Sequence, residues 1–163
     1  ERLFDPLNMK DTYVLFQSEP VNPKQPIKDI WYKGVEISSY RSLSVDWGGG
    51  VISTLDDLKR YVRAVNHYEI VGQETLDKLY TFKHRFFTGN YYGLGFSEYR
   101  FGHDFPIYRN LPRLKGHMGA LSTQMLYDKE TDTTVVMNFG STHYTAKSVS
   151  HLINILSLVF RIR

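Results

Sequence analysis

The chain has 163 residues, 42% of them hydrophobic and 23% charged, enough for one domain with a sizeable core. Twenty Lys and Arg against 17 Asp and Glu leave a net charge of +3, spread along the chain, which gives no case for a nucleic-acid or anionic-membrane partner. The absence of cysteine excludes disulfides and thiolate metal sites without locating the protein in the cell.

In chain order, residues 1–13 read as the end of a helix and a turn, with Pro6 limiting the helix and Asn8 and Asp11 supplying turn chemistry. The chain opens directly in an apolar stretch (Leu3, Phe4, Leu7) without a signal-like segment, and reads as a fragment. Residues 14–50, with Pro20, Pro23 and Pro26, read as a long ordered loop, packed through Trp31, Tyr32, Tyr40 and Trp47. Gly48-Gly49-Gly50 lacks the Lys-Ser/Thr of a phosphate loop and marks unusual backbone.

Thr54 followed by Asp57 resembles a capping box, and Leu55, Leu58, Val62 and Val65 recur at helical spacing, so 54–67 is an amphipathic helix. Asp56 and Asp57 then cap that helix and complement its dipole. A second helix is expected over 73–83 with Leu76, Leu79 and Tyr80 inward.

From residue 91 the pattern turns to strands: YYGLGFSEYRF, a short β-like PIYRN, LKGHMG, LSTQMLYD and TTVVMNF. The last two are joined by the polar run 128–132 and read as a hairpin. Most of the nine aromatics between Phe82 and Phe105 are expected in the core or on strand faces, with Tyr92 a candidate for a substrate cleft. Residues 145–162 form a helix apolar nearly all round, expected to lie buried on the sheet and too short to span a membrane. The whole is an α+β arrangement.

The most informative stretch is Lys115-Gly116-His117-Met118-Gly119-Ala120. A basic residue, one intervening residue and a glycine on a strand suit an acyl-transfer site: the cation stabilises charge and the glycine frees the strand for substrate. A backbone N–H just beyond can donate to an oxyanion. Taken alone, the pattern is better read as a partly buried structural histidine beside a turn glycine. His103-Asp104 and His143 have no metal-ligand spacing and read as exposed loop residues.

PLNMKDTY, WGGGVISTLDDLKRYV, YYGLGF, KGHMGA and LYDKETDTTVVMNF occur in an order that resembles the penicillin-recognising serine hydrolases, in their class C β-lactamase, D-Ala-D-Ala carboxypeptidase and esterase-like branch. The resemblance runs from residue 3 to the end. It implies the C-terminal portion of one β-lactamase/transpeptidase-like domain: an antiparallel sheet with flanking helices, no cofactor, and attack by a serine of an S-x-x-K motif. It also implies that His117 provides electrostatic help, that Ala120 N–H contributes to the oxyanion site, and that Met118 and Gly119 contact substrate, with Tyr92 beside them.

Two departures stand out. No S-x-x-K occurs in the 163 residues; Thr75-Leu76-Asp77-Lys78 is a coincidental imitation, as is Tyr108-Arg109-Asn110 for the Y-x-N motif. Nucleophile and base are therefore expected in a missing N-terminal half, leaving this fragment inactive alone. Met118 stands where relatives carry Thr or Ser, and a thioether cannot donate to a substrate carboxylate.

The resemblance thus implies an acyl-enzyme hydrolase of an amide, peptide, ester or β-lactam, with a non-catalytic peptidoglycan- or β-lactam-binding module as the alternative. Its setting would be the bacterial cell envelope or exterior. Without the N-terminal half, the apolar faces of 133–139 and 149–160 lack a partner, so self-association is expected, visible as a light-scattering mass above the monomer.

Overall fold

The computed structural model describes residues 2–38 and 50–161. Tyr40 and Trp47-Gly48-Gly49 lie outside the described residues. The N-terminal stretch forms turns, with no helix among its described residues, and ends in β1 (Tyr13–Val14). Next come the hairpin β2 (Trp31–Tyr32) and β3 (Val35–Glu36), then β4 (Val51–Ile52), which pairs antiparallel with β1. The loop expected over 14–50 is thus interrupted by short strands, and Trp31 and Tyr32 are exposed rather than packed.

α1 (Leu55–Asn66) starts where its cap predicts: Thr54 Oγ1 accepts from Asp57 N–H at 3.2 Å. The other half of the expected box is replaced by a longer-range contact. Asp57, buried, accepts from Asp11 N–H at 2.9 Å and Thr12 Oγ1–H at 2.8 Å, fastening the N-terminal segment to the first turn. Its role therefore exceeds dipole complementation.

α2 (Gln73–Leu79) ends earlier than its periodicity suggests. Tyr80 is the cap, and the chain leaves as β5 (His84–Phe87), a strand without apolar alternation because all four of its residues are exposed. β6 (Asn90–Tyr92), β7 (Ser97–Tyr99), β8 (Leu114–Met118), β9 (Gln124–Asp128) and β10 (Thr133–Met137) follow. They form one six-stranded sheet in the order β10-β9-β8-β7-β6-β5, every pairing antiparallel. The expected hairpin is β9–β10, paired from Thr133↔Asp128 to Met137↔Gln124. PIYRN is not a strand: after the short helix α3 (Phe101–Asp104), Pro106 begins a 3-10 turn to Tyr108, a conformation its fixed φ favours.

Alternation along the strands sends Leu126 and Tyr127 to opposite faces. On one face Leu114 and Leu126 pack with Tyr99, Phe101, and Leu152 and Leu156 of α4 (Thr145–Arg161). Each such leucine contributes about 2 kcal/mol of burial. On the other face Tyr127 meets His67, just past α1, ring centroids 6.0 Å apart. The α4 expectation is corrected in part: it covers the sheet with one face only. Ile155, Leu158 and Val159 are 43%, 63% and 44% exposed, because nothing described lies over them. Among the described residues no strand pairs with the outer side of β10, an edge of the sheet.

The aromatic expectation also shifts. Of the nine, only Tyr99 and Phe101 are buried, while Phe86, Phe87 and Phe105 are exposed because β5 is an edge strand and Phe105 sits beside a surface turn.

Candidate active site

β8 carries the predicted site along the middle of the sheet. Gly116 is required there by packing: a Cβ on it would lie 1.9 Å from the Met125 carbonyl oxygen of β9. That contact lets β8 and β9 approach closely and sets His117 beyond it. Gly119 is different, since a Cβ would meet only Thr123, at 3.9 Å. The fold does not need a glycine at 119, so the open surface beside it is available to a ligand.

β8 and β9 are joined by a tight turn. Gly119 N–H donates to Thr123 O at 2.8 Å, and Ser122 N–H to Gly119 O at 2.9 Å. Ser122, fully buried with φ at 61°, donates its hydroxyl to Ser141 O at 2.8 Å, and Asn138 Nδ2 donates to Thr123 Oγ1 at 2.6 Å. These bonds hold the turn in one shape. Ala120 sits exposed at its tip, and its N–H has no partner among the described residues. A fixed, unpaired N–H is what an oxyanion donor must be. Sequence reasoning passed over Ser122 and Asn138, whose roles depend on contacts 15 to 19 residues away.

His117 and Tyr92, 25 residues apart, meet across the sheet. Tyr92 Oη lies 2.5 Å from His117 Nε2, with the rings edge to face at 5.7 Å. Where the hydroxyl donates, the imidazole is held as its Nδ1–H tautomer. Beside the pair is a pocket of about 40 Å³ walled by Phe86, Phe87, Tyr92, Asn90, His117 and Met118. Asn90 is 1% exposed, and neither of its side-chain amide atoms has a partner among the described residues. A buried, unpaired amide is costly and marks a site whose polar complement comes from elsewhere.

Met118 turns its sulfur toward α4: Gln124 Nε2 is 3.7 Å from Sδ and Ser148 Oγ 3.8 Å. It borders the pocket with its flank and offers no donor there. Lys115 points away, its Nζ 5.0 Å from the Tyr80 ring. The two coincidental motifs stay apart from this cluster. Thr75 is exposed on α2, where Lys78 pairs with Glu74, and Tyr108 packs against the α4-side core. His103 is exposed and bonded to Asp104 at 3.1 Å.

The sequence profile of the β-lactamase family matches residues 1–160. The chain belongs to the β-lactamase family. Comparison with curated proteins returns no match. Among solved structures, D-amino acid amidase from Ochrobactrum anthropi SV3, complexed with L-phenylalanine amide, superposes with a TM-score of 0.70 at 22% identity, covering 97% of this chain and 48% of that one. D-stereospecific amidohydrolase from Streptomyces sp. gives 0.63 at 16% identity, covering 92% and 45%. A penicillin binding protein from Bacillus halodurans gives 0.64 at 14%, covering 94% and 47%. At these identities the likeness establishes the shared fold, and the chain spans about half the length of these structures. The β-lactamase-family fold of this chain is thus shared with two amidohydrolases and a penicillin-binding protein.

Proposed function

We propose that this chain forms one wall of the active site of an acyl-serine hydrolase acting on an amide or peptide, with the nucleophile and its base supplied from residues beyond these 163. The observation that carries this reading is the locked β8–β9 turn, which presents the unpaired Ala120 N–H three residues beyond His117, itself paired with Tyr92. In such an enzyme, the carbonyl oxygen of the acyl group accepts from Ala120 N–H as negative charge develops. Substrate lies past Gly119, and His117 supplies positive charge or a proton beside the leaving group. The amidase and amidohydrolase neighbours favour an amide over a β-lactam, and Met118, which cannot donate to a β-lactam carboxylate, points the same way. Substrates of that class, peptidoglycan-like peptides included, would be met at the cell envelope.

The test uses the gene product that contains this chain. Incubation with D-amino acid amides should give turnover and an acyl-serine adduct by mass spectrometry. Ala120→Pro, which removes the N–H, should lower kcat by about a hundredfold, whereas Ala120→Gly should not. Penicillin acylation should be slow and should accelerate in Met118→Thr. Rapid, stoichiometric penicillin acylation unchanged by Met118→Thr would refute the substrate assignment. Adduct formation without turnover would favour a binding module of the same fold.

A further inference from the structure

A second concave site lies away from the β8–β9 turn, where the segment between β7 and β8 folds over itself. It is a pocket of about 160 Å³ lined by Arg100, Gly102, His103, Arg109, Leu111 and Arg113. Arg113 immediately precedes β8, four residues before His117, so the pocket is about 13 Å along the strand from the candidate active site.

Three arginines line this one hollow, and like charges gathered there repel unless negative charge accompanies them. Arg100 has such a partner: it forms an ion pair with buried Glu98 and stacks over the Tyr91 ring at 4.4 Å. Arg109 and Arg113 have none. Both are exposed, and among the described residues neither side chain makes an ion pair or hydrogen bond. The two nearby carboxylates are already engaged, Glu98 with Arg100 and Asp104 with His103 and Arg85, so neither compensates Arg109 or Arg113. The backbone is shaped to hold them close. A Cβ on Gly102 would lie 2.7 Å from both Arg109 Cα and Tyr108 O, so only a glycine lets the α3 backbone pack directly against the arginine-bearing turn.

We propose that this pocket binds a phosphate group carrying two negative charges, free or as the terminal monoester of a larger molecule. Planar guanidinium forks match phosphate oxygens in pairs, and two unpaired forks match a dianion better than the single charge of a carboxylate. A hollow of this volume accommodates one such group with its first waters. The assignment is independent of the hydrolase reading, because it uses none of the residues near His117.

The experiment is calorimetric titration of the gene product that contains this chain, at pH 8 and constant ionic strength, with inorganic phosphate, glycerol phosphate and acetate. Saturable phosphate binding with millimolar or tighter Kd is expected, with acetate at least about tenfold weaker. Arg109→Gln and Arg113→Gln should each weaken phosphate by about tenfold while leaving the circular dichroism spectrum unchanged, since both side chains are exposed. Tighter glycerol phosphate assigns the site to a terminal monoester, and tighter inorganic phosphate to the free ion. Glycerol phosphate binding should weaken below pH 6, as its second charge is lost. No saturable binding below 50 mM (about 1.8 kcal/mol on the standard scale), acetate equal to phosphate, or a folded Arg109→Gln, Arg113→Gln double variant that binds like the parent would each overturn the proposal.

Discussion

Among the Tyr–His pairs on this sheet, those of Tyr127 with His67 and of Tyr92 with His117 differ in what surrounds them. Tyr127 Oη lies 3.2 Å from His67 Nε2, but it also donates to Asp132 Oδ1 at 2.7 Å, and Asp132 accepts from Arg63 at 2.8 Å. Each of these four side chains has a partner in the network, which bolts α1 to the β9–β10 turn. Among the described residues the Tyr92 hydroxyl and the His117 ring hydrogen-bond only to each other, and the Asn90 amide and the Ala120 N–H are unpaired. The same two side chains serve as scaffold where a carboxylate and a guanidinium complete the set, and as a site where polar capacity is left over for something else.

The largest test of this contrast lies on β8, which joins both regions. Gly116→Ala must push β8 from β9 and should cost about 3 kcal/mol or prevent folding, as read by urea denaturation. Gly119→Ala should leave stability within about 0.5 kcal/mol and instead impair substrate turnover. Equal stability losses would erase the distinction between packing glycine and ligand-facing glycine.

A smaller effect separates the tyrosines themselves. Tyr127→Phe should lower stability by about 1 kcal/mol and leave turnover intact, because it removes a donor from a closed network. Tyr92→Phe should do the reverse: little change in unfolding midpoint, and a turnover about tenfold lower with an altered pH profile once the His117 tautomer is no longer held.

The smallest effect is in pH dependence. The bonds from Tyr127 and then Arg63 hold the Asp132 carboxyl down at about 2. A depressed carboxyl stabilises the fold above its unfolded value of 3.8, and that contribution is lost as pH falls from there through about 2. Burial, and then its bond to Asp132, push Tyr127 up to about 12. Its contribution is whole below pH 10 and lost as pH rises through about 12. Denaturation midpoints should therefore fall on both limbs, with a shallower acid limb in Asp132→Asn and a shallower alkaline limb in Tyr127→Phe. Buried Tyr99, also pushed up to about 12 by burial, retains part of the alkaline limb in the latter.

The elements with local signatures were legible in the sequence. Thr54 and the apolar period place α1, the polar run at 128–132 places the β9–β10 hairpin, and the apolar tail places α4. β5 was not, because an exposed edge strand such as His-Arg-Phe-Phe need not alternate. The extent of α4 burial depends on what covers it, which no periodicity reports. In the site, the His-x-Gly signal on β8 was visible, and Tyr92 was singled out beside Gly93. Its pairing with His117 depends on sheet register, as does the bracing of the turn by Ser122 and Asn138.

The Asp57 carboxylate has one more consequence. It holds the Asp11 amide and the Thr12 hydroxyl at once from the first turn of α1, so residues 11–12 cannot lift away without uncovering a buried charge. In terms of local opening, that short stretch belongs to the helix rather than to the loop that follows it. Its amide should exchange with solvent at the slow pace of α1, a rigid anchor for an otherwise exposed strap.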